Sequence, residues 1–141
     1  MLDGKIQIKF VKSWSTEEIV DLYKAGGWWK ETWKSANIID MIKGSFVFAI
    51  AIDKNSNKTV GMGRVISDGV SDGYIQDLVV IPEFRKLGVG KLIVNKLVDY
   101  CISEGLLWIG VIAEPGNERF FSSLNFKIMK KHIPMLYNLE E

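Results

Sequence analysis

One cysteine and one histidine stand in a chain of 141 residues, and both scarcities exclude chemistry. A lone thiol, Cys101, cannot close a disulfide within the chain, and Cys101 with His132 leaves little material for a metal site. Charge of one sign is missing too. Lysine and arginine count 18 against 17 aspartates and glutamates, a net charge of +1, so no overall field draws the chain to nucleic acid or anionic lipid. Any phosphate must be held locally. Long apolar runs are absent as well: the longest, Phe46 to Ile52, is far short of the ~20 residues of a membrane-spanning helix. The opening MLDGKIQIKF has no apolar signal segment. The expectation is a soluble, cytoplasmic, metal-free protein with no nucleic acid or membrane partner.

What is present suits one core. Apolar residues make up 48% of the chain and charged residues 25%, and the length fits a single domain over residues 1–141. Lys5 to Val11 alternates like a half-buried strand. Ser15-Thr16-Glu17-Glu18 has capping-box spacing, in which Ser15 bonds the Glu18 amide and the Glu18 side chain reaches back; the helix ends at Ala25-Gly26-Gly27. A second helix is expected over about Trp33 to Lys43. Phe46 to Ile52, Thr59 to Ile66 and Tyr74 to Ile81 read as an antiparallel meander with polar turns between them. From Gly88 to Glu104 the apolar positions recur at helical spacing. Leu107 to Ile112 is nearly all apolar, as in a strand buried on both faces. Pro115 suits a helix reaching about Leu124, and closing strands are expected near Phe126 to Lys130 and Ile133 to Leu139. This order predicts an α/β fold: a mixed, mostly antiparallel sheet flanked by about four helices.

The informative segment joins the third meander strand to the long helix. There Arg85, Lys86, Leu87, Gly88, Val89, Gly90 and Lys91 form a basic, glycine-bearing loop that opens the helix. Unpaired first-turn amides and the positive end of the helix dipole favour an anion there, and glycine lets it approach the backbone. Two commoner phosphate motifs are excluded. Gly90-Lys91 is followed by Leu92 rather than serine or threonine, and Ile93 stands where a dinucleotide fingerprint needs a small residue.

Arg85-Lys86-Leu87-Gly88-Val89-Gly90 resembles the Arg/Gln-x-x-Gly-x-Gly/Ala signature of the GNAT family of acetyl-CoA-dependent N-acetyltransferases. Val80-Ile81-Pro82-Glu83-Phe84 before it, Phe120 to Phe126 near the end, and the element order strengthen the resemblance. It implies that amides from Lys86 to Lys91 hold the pyrophosphate of acetyl-CoA. It also implies that Leu78 and Val80 offer main chain to the pantetheine arm, in a cleft between the Tyr74 to Ile81 and Leu107 to Ile112 strands. An amine would attack the thioester directly, with a main-chain amide near Leu78 as the oxyanion donor. Two positions depart from the pattern. Phe121 stands where the family often has a tyrosine that protonates the leaving thiolate, and Asn125 replaces a turn glycine. Many proteins of this fold pair as homodimers.

The remaining candidates have structural alternatives. Asp77 is the first candidate for general base; otherwise it is a surface or bridging aspartate, because Ile75, Asp77 and Val79 are expected to share one strand face. Glu114 is the second base candidate, or simply an acid in a first helical turn. Trp28 and Trp29 fall where the family builds its acceptor wall, and stapling of two helices onto the sheet is the alternative; one of each is expected. Glu31 is a candidate contact for a cationic acceptor, with a solvated helix start as the alternative. Tyr74 and Tyr137 are possible substitutes for the absent phenol, His132 reads as a surface residue, and Cys101 as core. The function expected is acetyl transfer to a primary amine, with a small-molecule acceptor favoured over a protein or peptide amine, and a non-catalytic acyl-CoA-binding module as the alternative.

Overall fold

Alternation after Lys5 builds β1 (Ile6–Phe10), and the structure, a computed structural model describing residues 4–139, continues in the predicted order. Helix α1 (Thr16–Ala25) begins at Ser15, whose hydroxyl accepts from the Glu18 amide at 3.3 Å. The reciprocal half of the capping box is not made. The Glu18 carboxylate accepts instead from the Trp14 indole at 3.0 Å and from the Thr59 hydroxyl. At the other end Gly27 takes the left-handed exit at φ +78°. The Gly27 amide then bonds the Lys24 carbonyl and the Trp28 amide bonds the Tyr23 carbonyl, each at 3.0 Å, which is a Schellman closure.

Helix α2 (Asn37–Gly44) is shorter than expected, since Trp33 to Ala36 form turns ahead of it. The meander follows as β2 (Val47–Asp53), β3 (Lys58–Ile66) and β4 (Asp72–Val80), then α3 (Val89–Ser103) and β5 (Trp108–Val111). The five strands lie in the order β1-β2-β3-β4-β5, antiparallel except for the parallel β4–β5 pair that α3 connects. Every residue of β2 is buried. The expected doubly buried strand is therefore β2 and not β5, whose residues are exposed or half-buried. Burial on both faces needs helices on both faces, and these cover the middle of the sheet while β5 lies at its edge.

Glycines in β3 seat α3. A Cβ on Gly61 would come within 3.1 Å of Ile93, and one on Gly63 within 3.0 Å of Ile93 and 3.3 Å of Leu97. Two residues apart, they share one face, with Arg64 pointing to the other. The side chain of Arg64 reaches Ser45 at the end of α2 and Asp77, which also meets Tyr23 of α1. Helices α1 and α2 thus flank the face opposite α3. Cys101 lies fully buried in α3, as its apolar stripe predicts, and burial pushes its thiol pKa up.

The chain divides into two compact units, Met1–Val111 and Ile112–Glu141. In the second, α4 (Glu118–Ser122) is shorter than the predicted Pro115 to Leu124 helix, and Asn125 adopts φ +74° just after it. Phe121 is buried, its ring edge-on to Phe120 and Phe126 at 4.9 and 5.5 Å. The two closing strands are not formed among the described residues. Ile133, Met135 and Leu136 are 78, 88 and 97% exposed, and alternation makes a strand only when a neighbouring strand completes its ladder. No helix of the described residues is long and apolar enough to cross a membrane.

Filling the seat of α3 should cost stability. Gly63→Val should lower the urea-unfolding free energy by about 1–3 kcal/mol, with Gly63→Ala milder, because the added methyls meet Ile93 and Leu97. Unchanged unfolding of the valine variant would show that α3 has room to move away.

Candidate active site

The cleft begins where one strand stops. Strand β5 pairs with β4 only from Asp72 to Ile75, the last pair being Ile75 with Val111. Beyond it β4 runs on from Gln76 to Val80 with no strand on that edge among the described residues. At the same point β4 carries a bulge. Arg64 pairs with Gln76 and Met62 with Val79, so Gly63 faces two residues, Asp77 and Leu78, and Asp77 turns left-handed at φ +59°. One inserted residue reverses the pleat. Ile75 pairs with Val65 and Val79 with Met62, three residues apart on β3, so Ile75 and Val79 point to opposite faces. The predicted shared face of Ile75, Asp77 and Val79 is thereby corrected.

The bulge hands the Asp77 carboxylate to the α1 face. Its Oδ2 accepts from Arg64 Nε at 2.7 Å and from the Tyr23 hydroxyl at 2.6 Å. The two charged side chains are only 16% and 21% exposed. Arg64 Nη1 also reaches Ser45 Oγ at 3.4 Å, and Ser45 donates to the Met41 carbonyl at 2.8 Å. Asp77 is therefore a bridge from β3 to α1. Burial first, then the hydrogen bond to Asp77 and its negative charge, raises the Tyr23 pKa far above its usual value, with Arg64 opposing.

Trp28 is placed by the Schellman closure. Its ring stands edge-on to Tyr23 at 6.1 Å, the helix-end contact that accompanies this motif. Gly26 makes room, since a Cβ there would lie 2.8 Å from the Trp28 ring. Trp29 turns instead to Trp33, edge-on at 5.7 Å, with Lys30 Nζ 5.7 Å from the Trp33 ring. Glu31 is exposed in the same loop.

The basic loop is shaped by its backbone. A 3-10 turn at Pro82–Phe84 leads to Arg85, and Lys86 and Gly88 are both left-handed, at φ +62° and +94°. Gly88 is the N-cap of α3 and supplies no side-chain cap, while its carbonyl accepts from Leu92 at 3.1 Å. The amides of Val89, Gly90 and Lys91 thus lie ahead of the first intrahelical bond. The side chains of Lys86, Leu87 and Lys91 are exposed and that of Val89 is buried, so Val89 can offer only its main chain to the loop. Arg85 turns back: Nε donates to the Val80 carbonyl at 2.8 Å and Nη2 to the Ala25 carbonyl at 3.2 Å. Its guanidinium braces the loop against β4 and the end of α1.

Glu114 lies in the second unit, exposed in a turn where its carbonyl accepts from Asn117 at 3.0 Å, ahead of α4 rather than in its first turn. Tyr74 is paired with Trp108 across the β4–β5 edge at 5.1 Å. His132 is exposed beside the Lys130 carbonyl. Tyr23 and Arg64 are the residues that reading the chain missed. Arg64 is the one charge inside the apolar run Val60 to Ile66 and Asp77 the one charge inside Tyr74 to Ile81. Two lone opposite charges in adjacent strands are a legible sign of pairing. Nothing in the α1 stripe distinguishes Tyr23.

The sequence profile described as the acetyltransferase (GNAT) family matches residues 9–126. An uncharacterised N-acetyltransferase of Porphyra purpurea, ycf52, is 31% identical over 129 residues, covering 86% of this chain and 73% of that protein. A chloroplastic GCN5-related N-acetyltransferase 3 of Arabidopsis thaliana is 32% identical over 81 residues, covering 57% of this chain and 34% of that protein. Among solved structures, a GNAT-family acetyltransferase of Streptococcus pneumoniae superposes with a TM-score of 0.79 at 26% identity, covering 96% of this chain and 99% of that one.

The Tyr23 phenol yields a pH prediction. Its folded pKa lies above the unfolded value of about 10, so its contribution to stability is fully present below about pH 10 and is lost as pH rises toward the folded value. Tyr23→Phe should flatten the alkaline fall in unfolding free energy. The phenolate absorbance difference between wild type and Tyr23→Phe should stay flat to about pH 11 while the protein is folded. Ionisation of Tyr23 near pH 10 in the folded protein would show that the phenol is solvated.

Proposed function

The chain belongs to the GNAT family and is an N-acetyltransferase; we propose that its β4 to α3 segment holds acetyl-CoA and that its acceptor is a small-molecule amine. The observation that carries the cofactor reading is the loop geometry. Two left-handed residues, Lys86 and Gly88, curl the backbone ahead of an uncapped helix, and the exposed lysines Lys86 and Lys91 add charge. A pyrophosphate fits this arrangement, and amides from Lys86 to Lys91, those of Leu87, Gly88, Val89 and Gly90 included, would hold it. Arg85 would act by bracing the loop through Val80 and Ala25. The stretch of β4 that β5 leaves uncovered supports main-chain contacts from Leu78 and Val80 to the pantetheine arm.

Acetyl-CoA supplies an acetyl group activated as a thioester. The residues then have three tasks: orient the amine, accept its proton and stabilise the developing oxyanion. In this reading the Leu78 amide serves the oxyanion. Asp77 accepts the proton through Oδ1, because both of its donors address Oδ2. The acceptor side borders Tyr23, Trp28 and Met41, with Trp29 and Glu31 in the loop beyond. Aromatic and thioether walls around a carboxylate already paired with arginine suit a compact amine of single charge better than one that brings several.

Cofactor binding is tested at Gly90. Gly90→Glu places a carboxylate in the first turn of α3, where the pyrophosphate would sit, and should abolish acetyl-CoA binding in calorimetry while the unfolding curve stays near wild type. Undiminished affinity would move the cofactor elsewhere. Thiol release with a panel of amines tests the acceptor. A compact monoamine should outpace spermidine and a lysyl peptide, and a preference for the peptide would overturn the small-molecule reading.

A further inference from the structure

We propose that Arg64 and Tyr23 are positioning residues: by clamping the Asp77 carboxylate they hold the β4 bulge, and with it the alignment of the Leu78 to Val80 main chain along the cleft. The inference rests on the acetyl-CoA reading and adds a role for Asp77 that is independent of proton transfer.

A bulge needs a reason to stay in place. An aspartate at φ +59° is in a region that side chains other than glycine disfavour, although aspartate tolerates it better than most. Relaxing it to an extended conformation would let the extra residue slip along the strand. Every residue on one side of the slip would then change face, including those bordering the cleft. The carboxylate opposes that slip. It is tied at 2.7 Å to Arg64, which pairs with Gln76 just before the bulge, and at 2.6 Å to Tyr23 on a different element. Neither donor is loose. Arg64 extends to Ser45 at the end of α2, and Tyr23 sits in the helix end that the Gly27 turn and Trp28 close. With the pair mostly buried, water is a poor replacement for a lost donor.

A purely electrostatic role for Asp77 would make its alanine and glycine variants equivalent; a conformational role separates them, because only glycine adopts positive φ freely. The experiment is calorimetric titration with acetyl-CoA and with 3′-phosphoadenosine 5′-diphosphate, which carries the pyrophosphate but no pantetheine arm. Asp77→Ala should weaken acetyl-CoA binding by about tenfold or more, and Asp77→Gly should recover most of that loss. The nucleotide should bind both variants within about twofold of wild type. Should Asp77→Ala fail to fold, Tyr23→Phe reads the same clamp: it should weaken acetyl-CoA binding by about threefold alone and have no effect in the Asp77→Gly background. Equal losses in the alanine and glycine variants, or a Tyr23→Phe effect that persists beside glycine, overturn the inference. Absence of acetyl-CoA binding by the wild-type protein overturns the cofactor reading and this inference with it.

Discussion

A carboxylate inside a sheet must find donors, because stripping its water costs several kcal/mol unless hydrogen bonds and an opposite charge replace it. Asp77 meets that requirement with the guanidinium of Arg64 and the hydroxyl of Tyr23, and much of the first unit is arranged around the meeting. For the carboxylate to reach both donors, β4 takes in one extra residue and turns left-handed. That residue reverses the pleat, so Leu78 and Val80 come to line the α3 face while Val79 turns to the other. The reversal occurs just past the last β5 pairing, so the sheet opens where the strand changes phase.

The same economy governs the rest of the site. Net charge is near zero, so the proposed anion binding has to be built from a few local groups. The backbone supplies them at the start of α3, where the glycine cap leaves the first amides without a side-chain partner. Arg85, the signature arginine, spends donors on the Val80 and Ala25 carbonyls, which join the loop, the open stretch of β4 and the end of α1. On the opposite face the side-chain-free positions Gly61 and Gly63 let α3 lie close against β3. The proposed anion site is thus carried by a helix held at both sheet and loop.

The proposed acceptor side follows from how α1 ends. Paired glycines close the helix, the closure brings Trp28 onto Tyr23, and Tyr23 donates to Asp77. A local turn preference is in this way transmitted to the side chain nearest the proposed chemistry. Trp29, one residue further, turns away to Trp33, so adjacent tryptophans have separate partners.

By itself the sequence determined the order of the elements from β1 to α4, the strong α1 and α3 boundaries, the glycine-bearing loop at Arg85 to Gly90 and the family to which it belongs. These depend on neighbours a few residues apart, where capping, periodicity and backbone freedom act. Only the tertiary structure decided that Asp77 bridges Arg64 and Tyr23, that Ile75 and Val79 point to opposite faces, and that β2 rather than β5 is buried on both sides. Each of these depends on a partner in another element: register is set between strands, and the adjacent polar residues Gln76 and Asp77 break the alternation without fixing which face follows. The expected closing strands near Phe126 to Lys130 and Ile133 to Leu139 miss for the same reason. Their pattern is local, whereas a strand exists only through the neighbour that completes its hydrogen bonds.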